Sequence, residues 1–249
     1  MIVECRITGL KPLLIAYMAG YGKERWEESV NNDATERKQE QGMVVSCVLQ
    51  GTLPLLVHSQ RGMNYRDPVA QELQALNSKR GKTLEDRLRI SDLEMTLGYY
   101  WDDRIGPYFP AINVKRSFQD GAKKFKLGTA LSQSLRQLPG QDRAPILYEG
   151  PRTLGALCSE GRFRDVRTVS ISGRTVERTR PIFPEWKLAV LFILDDDELD
   201  LRKLQQCADR AGGYIGLGDF RPEYGTYRCE IRETKLDDAH MEISGYAAV

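Results

Sequence analysis

The segment best suited to chemistry is rich in glycine. Five glycines fall within residues 211–225, after a predicted helix and before a predicted strand. Glycine lets the backbone adopt positive φ and approach a ligand closely, and a run of N–H groups beside Arg221 suits a phosphate. A dinucleotide-binding fingerprint is excluded, because that motif runs from strand to glycine loop to helix. The pattern predicts either a ligand loop, with Gly216 and Gly218 nearest the ligand, or a helix end followed by a tight turn.

A second candidate is a strand with alternating arginines. Arg174, Arg178 and Arg180 have even spacing, so in a strand their side chains share one face. A basic face with Phe163 and Phe183 nearby suits a nucleic-acid backbone. The alternative is a solvated edge strand protected from aggregation by charge. A further basic cluster, which would steer a polyanion towards the protein, consists of Lys123, Lys124 and Lys126.

Acidic, histidine and cysteine patterns give little support for catalysis. The acids at 195–198 and 200 could bind a divalent metal, but such acids usually favour the start of the following helix. Asp102 and Asp103 beside Trp101 are either acid–base carboxylates or turn residues. With two histidines and no C-x-x-C pair, neither triad chemistry nor a zinc site is indicated. We therefore expect a non-enzymatic protein without metal or cofactor.

Composition places the chain among ordinary globular proteins. It has 249 residues, 41% hydrophobic and 29% charged, with a net charge of +1 that hides local basic and acidic clusters. It has no apolar run of the roughly 18 residues that a membrane span needs, and its first residues do not resemble a signal peptide. Five scattered cysteines favour a reducing compartment. The expected location is the cytoplasm, or the host cytoplasm if the protein is phage-encoded.

Periodicity predicts an α+β fold with an antiparallel sheet and helices on one face. A two-residue turn at Ser172 and Gly173 predicts a β-hairpin, and residues 129–145 are predicted to form a loop. The Gly212–Gly213 pair is predicted to stop the last helix. The predicted helices span residues 68–80, 83–97, 111–128 and 201–211, and the predicted strands span 144–150, 166–171, 174–181, 187–194 and 224–232, with an aromatic hairpin at 98–110.

The beginning of the chain contains a partial repeat. Cysteine, glycine and a Pro-Leu-Leu segment recur at one offset of 42 residues, so that residues 3–15 match residues 45–57. Two similar strands of one sheet would explain this, as would a duplicated strand donated to a neighbouring subunit. We therefore divide the chain into an N-terminal extension, residues 1–42, with a polar linker, and a main domain, residues 43–249.

Two of these motifs carry a resemblance to a known family. Gly216-Leu-Gly-Asp-Phe-Arg-Pro-Glu-Tyr-Gly225 resembles the C-terminal glycine-rich loop of the repeat-associated mysterious protein (RAMP) superfamily, which includes guide-RNA-binding backbone subunits of CRISPR complexes. Gly51-Thr-Leu-Pro-Leu-Leu is similar to the first strand and turn of those domains. Residues 44–232, including Arg180-Pro-Ile-Phe-Pro-Glu-Trp186, are also similar to small phage and mobile-element proteins.

The resemblance implies a ferredoxin-like, RRM-like core, with a helical insertion at about residues 64–128. It also implies sequence-independent binding of single-stranded RNA or DNA through the backbone. The expected assembly is a head-to-tail homo-oligomer or a multi-subunit ribonucleoprotein. The alternatives are a phage structural or assembly protein that makes protein–protein contacts and, ranked below it, a metal-dependent nuclease.

Overall fold

The main sheet has four antiparallel strands in the order β10-β1-β9-β5. The computed structural model describes residues 42–171, 173–195 and 199–235, so the first copy of the repeat lies outside the described residues. The strands are β1 Met43–Gly51, β2 Leu55–Leu56, β3 Trp101–Asp102, β4 Gly106–Pro110, β5 Leu135–Gln137, β6 Arg143–Pro145, β7 Arg164–Ile171, β8 Arg174–Phe183, β9 Lys187–Leu194 and β10 Tyr227–Glu233.

Six α-helices and three short 3-10 turns accompany the strands in the described part of the chain. Helix α2 begins with the capping box that its sequence indicates, Thr83 bonding the N–H of Asp86 and the Asp86 carboxylate bonding the N–H of Thr83. The helices are α1 Pro68–Ser78, α2 Leu84–Gly98, α3 Ala111–Ala122, α4 Gly128–Ser134, α5 Leu154–Ser159 and α6 Leu201–Tyr214, and the 3-10 turns are Gln60–Met63, Lys123–Phe125 and Gly161–Phe163.

Helices α3 and α6 share the main core with alternate residues of β1, β9 and β10. They cross closely at Gly121, where a Cβ atom would lie 2.5 Å from the carbonyl oxygen of Cys207. At Gly212 a Cβ atom would lie 2.2 Å from the carbonyl oxygen of Tyr227 on β10. The predicted stop of α6 at Gly212 is therefore wrong, because this glycine lets the helix approach the sheet and the helix continues to Tyr214.

Two three-stranded sheets complete the described fold, in the orders β2-β8-β7 and β3-β4-β6. The β7–β8 hairpin is the one that the sequence predicts, with Arg167 opposite Arg178 and Asp165 opposite Arg180. Helix α2 covers β8, and the hydroxyls of Ser91 and Thr179 meet there at 2.7 Å in a buried hydrogen bond. This packing fixes the hairpin relative to α2.

The α+β class with antiparallel sheets is confirmed, but one connection is not a loop. The predicted loop at 129–145 contains α4, β5 and β6. Its buried residues are spaced too unevenly to show one period, so tertiary packing decides their structure; they are Leu131, Ser134, Leu135, Leu138 and Ala144. Likewise Gly128 begins α4 instead of ending the preceding helix, which stops at Ala122. Among the described residues, no helix is both long and apolar enough to cross a membrane.

Candidate nucleic-acid interface

The glycine loop, residues 215–226, joins α6 to β10 and is fixed at several points. The N–H of Leu217 donates to the carbonyl of Gly225 at 2.8 Å, and the N–H of Gly225 donates to the carbonyl of Pro54 at 2.7 Å. From α3, the buried hydroxyl of Ser117 donates to the carbonyl of Gly216 at 2.9 Å. These bonds hold the loop against both β2 and α3.

Gly216 and Gly218 are required by the packing of this loop. Their φ angles are +74° and +75°, a region that side chains with Cβ rarely occupy. At Gly218 a Cβ atom would lie 2.1 Å from the carbonyl oxygen of Leu56, and at Gly216 it would lie 2.9 Å from that of Tyr224. The tight-turn interpretation accounts for both glycines, and their contact with a ligand stays a prediction.

A cleft of about 880 Å³ opens between the glycine loop and α3, with α4 on its far side. Asn113, Arg116 and Asp120 are three or four residues apart on α3, so they form one stripe on the helix that faces the cleft. Lys123 continues the stripe in the 3-10 turn. The glycine loop contributes Gly218, Asp219 and Arg221 to the opposite wall. The structure thus brings together three predicted residues, Lys123, Gly218 and Arg221.

The cleft has more positive charge than its carboxylates neutralise. Lys123 pairs with Asp120 at 2.7 Å, and Asp219 pairs with Arg180 from β8. Within the described part of the chain, Arg116 and Arg221 have no ion-pair partner, and both side chains are exposed. These two arginines can therefore bind an anion without first leaving a carboxylate. Arg116 is not among the residues predicted from the sequence, although its spacing of seven residues from Lys123 places both on one side of a helix.

The floor and rim of the cleft add polar and aromatic groups. His58 lies with its Nδ1 atom 3.9 Å from the Asp219 carboxylate. Partial burial and the neighbouring Arg180 lower the pKa of His58 below its ordinary value, although Asp219 opposes this effect. The amide side chains on the walls, which can donate to phosphate or sugar oxygens, belong to Asn113, Gln119 and Gln133.

The predicted arginine face consists of the side chains of Arg174, Arg178 and Arg180 on β8. Arg178 pairs with Glu94 of α2, which also accepts the N–H of Thr179 at 2.8 Å. The side chains of Arg178 and Arg180 are 31% and 17% exposed, which makes them partly buried members of ion pairs. The side chain of Arg174 lies outside the described residues. Phosphate binding by this face stays a prediction.

The prediction that Phe163 and Phe183 add aromatic groups to this face is wrong. Phe163 and Phe183 are buried in the core, with 1% and 0% of their surface exposed, because they pack on each other and on Tyr148. The aromatic ring that contacts the arginine face is that of Phe220 in the glycine loop, which lies beside Arg180. Arg167 on the neighbouring strand β7 contacts Phe220 and Tyr224. No signal in strand periodicity could have placed a distant loop there.

The two other predicted lysines, Lys124 and Lys126, are exposed in and just after the 3-10 turn at the end of α3. They do not line the cleft, but they follow Lys123 directly. Within the described part of the chain neither forms an ion pair. They are placed to attract a polyanion towards the cleft through long-range charge.

The acidic residues have structural partners. Asp200 accepts the N–H of Lys203 at 2.7 Å and so caps α6. Asp102 accepts the N–H of Arg104 at 2.9 Å, and Asp103 accepts the indole N–H of Trp101 at 3.0 Å. The cap and turn interpretations are therefore confirmed for these residues, while Asp196, Asp197 and Glu198 lie outside the described residues. The described ranges contain no group of three metal-ligating side chains.

Comparison with protein-family models gives no match to this sequence, and comparison with curated proteins gives none either.

Proposed function

We propose that the protein binds single-stranded nucleic acid, RNA or DNA, through its sugar–phosphate backbone and without sequence preference. The observation that carries this proposal is the pair of exposed arginines on opposite walls of the cleft, Arg116 and Arg221, neither of which has an ion-pair partner among the described residues. A guanidinium binds phosphate with two parallel hydrogen bonds. Two such groups facing one cleft suit successive phosphates of one strand.

The surroundings of the cleft favour a polymer over a small anion. Lys124 and Lys126 follow the cleft residue Lys123 and add exposed positive charge beside it. The arginine face is joined to the glycine loop through the ion pair between Arg180 and Asp219. Its members Arg174, Arg178 and Arg180 are proposed as flanking contacts weaker than those of the cleft, because Arg178 and Arg180 are already paired with Glu94 and Asp219. Because the wall amides can both donate and accept hydrogen bonds, they suit sugar and phosphate groups of any sequence.

The sheet order supports the proposed relation to ferredoxin-like domains. In a ferredoxin-like β-α-β-β-α-β unit the fourth strand lies beside the first, followed by the third and the second. Taking β1, α3, β5, β9, α6 and β10 as that unit gives the order β10-β1-β9-β5. We propose that α3, Ala111–Ala122, is the first helix of this core. The insertion expected at about residues 64–128 is then shorter, with α1 and α2 as its helices, and ends before α3.

Assembly into a head-to-tail oligomer, or into a ribonucleoprotein with other subunits, is part of the proposal. Large apolar side chains are exposed around α1 and α2: Met63 at 82%, Tyr65 at 67%, Leu84 at 74% and Leu88 at 59%. Exposed apolar side chains of this size suit protein contacts, and they also favour the second candidate function, a phage structural or assembly role. The cytoplasm is the proposed location, in keeping with four free thiols among the described residues.

The experiment that tests nucleic-acid binding is purification at low salt without nuclease. We expect a ratio of absorbance at 260 nm to that at 280 nm above that of the protein alone. The bound strand should be released by high salt, because phosphate contacts weaken steeply with salt, and ribonuclease or deoxyribonuclease then identifies it. The matched control is the Arg116→Ala, Arg221→Ala double variant, which should purify without a strand. A wild-type protein free of nucleic acid, and unable to bind added single strands at low salt, contradicts the proposal.

A further inference from the structure

Phe220 occupies an unusual position in the glycine loop. Its side chain is 38% exposed, and its backbone has a φ of +53°. Bulky residues rarely adopt this left-handed conformation, and when they do so the surrounding structure must enforce it. Here the N–H of Phe220 donates to the Asp219 carboxylate at 3.2 Å, and its carbonyl accepts the N–H of Tyr224 at 3.2 Å. An apolar ring is thus held at the surface against its backbone preference.

Two guanidinium groups support this ring. The central carbon of Arg167 lies 4.7 Å from the centre of the Phe220 ring, and that of Arg180 lies 5.7 Å from it. Arg167 is itself fixed, because it pairs with Asp165 and donates to the hydroxyl of Tyr224 at 3.0 Å. The orientation of the ring is therefore set before any ligand arrives, which reduces the entropic cost of binding.

Phe220 does not itself line the cleft, but it lies in the glycine loop between Asp219 and Arg221, which both do. A strand whose phosphate binds Arg221 can therefore continue over the loop and place a base on the exposed part of the ring. Aromatic side chains beside a basic groove stack with the bases of single strands, and this stacking tolerates any sequence because every base has a π face.

We infer that Phe220 is a platform on which one unpaired base of the bound strand stacks. The inference depends on the proposed function, which it extends by naming the part of the nucleotide that the loop contacts. An apolar protein segment is a poorer occupant, because covering the ring would also desolvate the guanidiniums of Arg167, Arg180 and Arg221. Since bases in a duplex are already stacked on each other, the platform selects single strands.

Fluorescence anisotropy with two labelled oligonucleotides of equal length tests the inference. One carries bases throughout, and the other has abasic sugars in its central positions. The full chain should bind the first about 10- to 100-fold more tightly, the range expected for one stacked base. Phe220→Asn should remove this preference and leave binding of the abasic strand unchanged, and asparagine tolerates the left-handed backbone. Phe220→Trp, which retains an aromatic face, should preserve the preference.

The outcomes separate the two proposals. A Phe220→Asn variant that keeps the preference for bases, or that loses affinity equally for both strands, overturns the platform while nucleic-acid binding stands. Wild-type protein that binds neither strand at low salt overturns the proposed function and the platform with it. A strand with 2-aminopurine in the central position gives a second readout, because stacking changes its fluorescence. The change should appear with wild type and Phe220→Trp and be absent with Phe220→Asn.

Discussion

The cleft and the arginine face are both basic, yet they differ in where the opposite charges lie. In the cleft, Arg116 and Arg221 are exposed and unpaired within the described residues. On the arginine face, Arg178 and Arg180 are partly buried and paired with Glu94 and Asp219. A cluster of basic residues in a sequence therefore does not by itself indicate charge that is available to a ligand.

The difference has an energetic basis. An anion reaching Arg180 must compete with the Asp219 carboxylate. Asp219 is held in place because its backbone N–H donates to the carbonyl of Leu56 at 2.9 Å. An anion reaching Arg221 has no such carboxylate to displace among the described residues. We therefore expect the cleft to dominate phosphate binding and the arginine face to contribute mainly to the stability of the fold.

The largest expected effect comes from the loop that joins the two regions. Gly218→Ala places a methyl group against the carbonyl of Leu56 and forces alanine to positive φ, so we expect the free energy of unfolding to fall by about 3 kcal/mol or more. The control is Gly213→Ala, where a Cβ atom meets nothing within 4 Å and helix propensity improves. Chemical denaturation measures both. Equal stability of the two variants would show that the loop does not need glycine at 218.

The second-largest expected effect distinguishes the arginine face from the cleft by how much each contributes to the stability of the fold. Arg178→Ala with Arg180→Ala leaves the carboxylates of Glu94 and Asp219 without their partners, so we expect a loss of about 2 kcal/mol or more in the free energy of unfolding. Arg116→Ala with Arg221→Ala removes exposed side chains and should change it by less than about 0.5 kcal/mol. Thermal unfolding of both double variants decides the matter. A larger loss of stability in the Arg116→Ala, Arg221→Ala variant would show that the cleft arginines, and not those of the arginine face, stabilise the fold.

How far the sequence predicts this arrangement depends on the range of the interactions. The capping box of α2 and the β7–β8 hairpin are confirmed because each depends on neighbours within a few residues. The ion pair between Arg178 and Glu94 joins residues 84 apart, and no local pattern encodes it. For the same reason the spacing on α3 could indicate a basic stripe, whereas the opposite wall of the cleft could not be predicted.

A smaller effect concerns the lysines outside the cleft. Because Lys124 and Lys126 are exposed and do not line it, Lys124→Gln with Lys126→Gln should slow association with a single strand and leave dissociation unchanged. We expect about a threefold decrease in the association rate at low salt, which disappears once salt shortens the Debye length. Stopped-flow mixing at two salt concentrations measures this. A faster dissociation rate would instead indicate direct contact with the strand.

The smallest expected effect concerns His58, which lines the cleft and is also influenced by the charge of Arg180 on the arginine face. Burial and Arg180 lower its pKa in the folded state, so at mildly acidic pH the unfolded chain binds more protons at this residue. Its contribution to stability is therefore complete above its ordinary pKa of about 6.5 and declines as the pH falls towards the lowered folded value. Chemical denaturation across that range should show a shallower decline for His58→Gln than for wild type. Stability curves that run parallel with pH would show that His58 does not contribute to the pH dependence of stability.

The most direct test of the central claim is the salt dependence of single-strand binding. Affinity for one labelled oligonucleotide is measured over a series of salt concentrations for wild type and for the two arginine double variants. Each lost phosphate contact flattens the slope of log K against log salt by about 0.7. Our account predicts a slope flatter by about 1.4 for Arg116→Ala with Arg221→Ala, and a nearly unchanged slope for the folded fraction of Arg178→Ala with Arg180→Ala. The opposite pattern, or identical slopes for all three proteins, would contradict the claim that the cleft holds the phosphates.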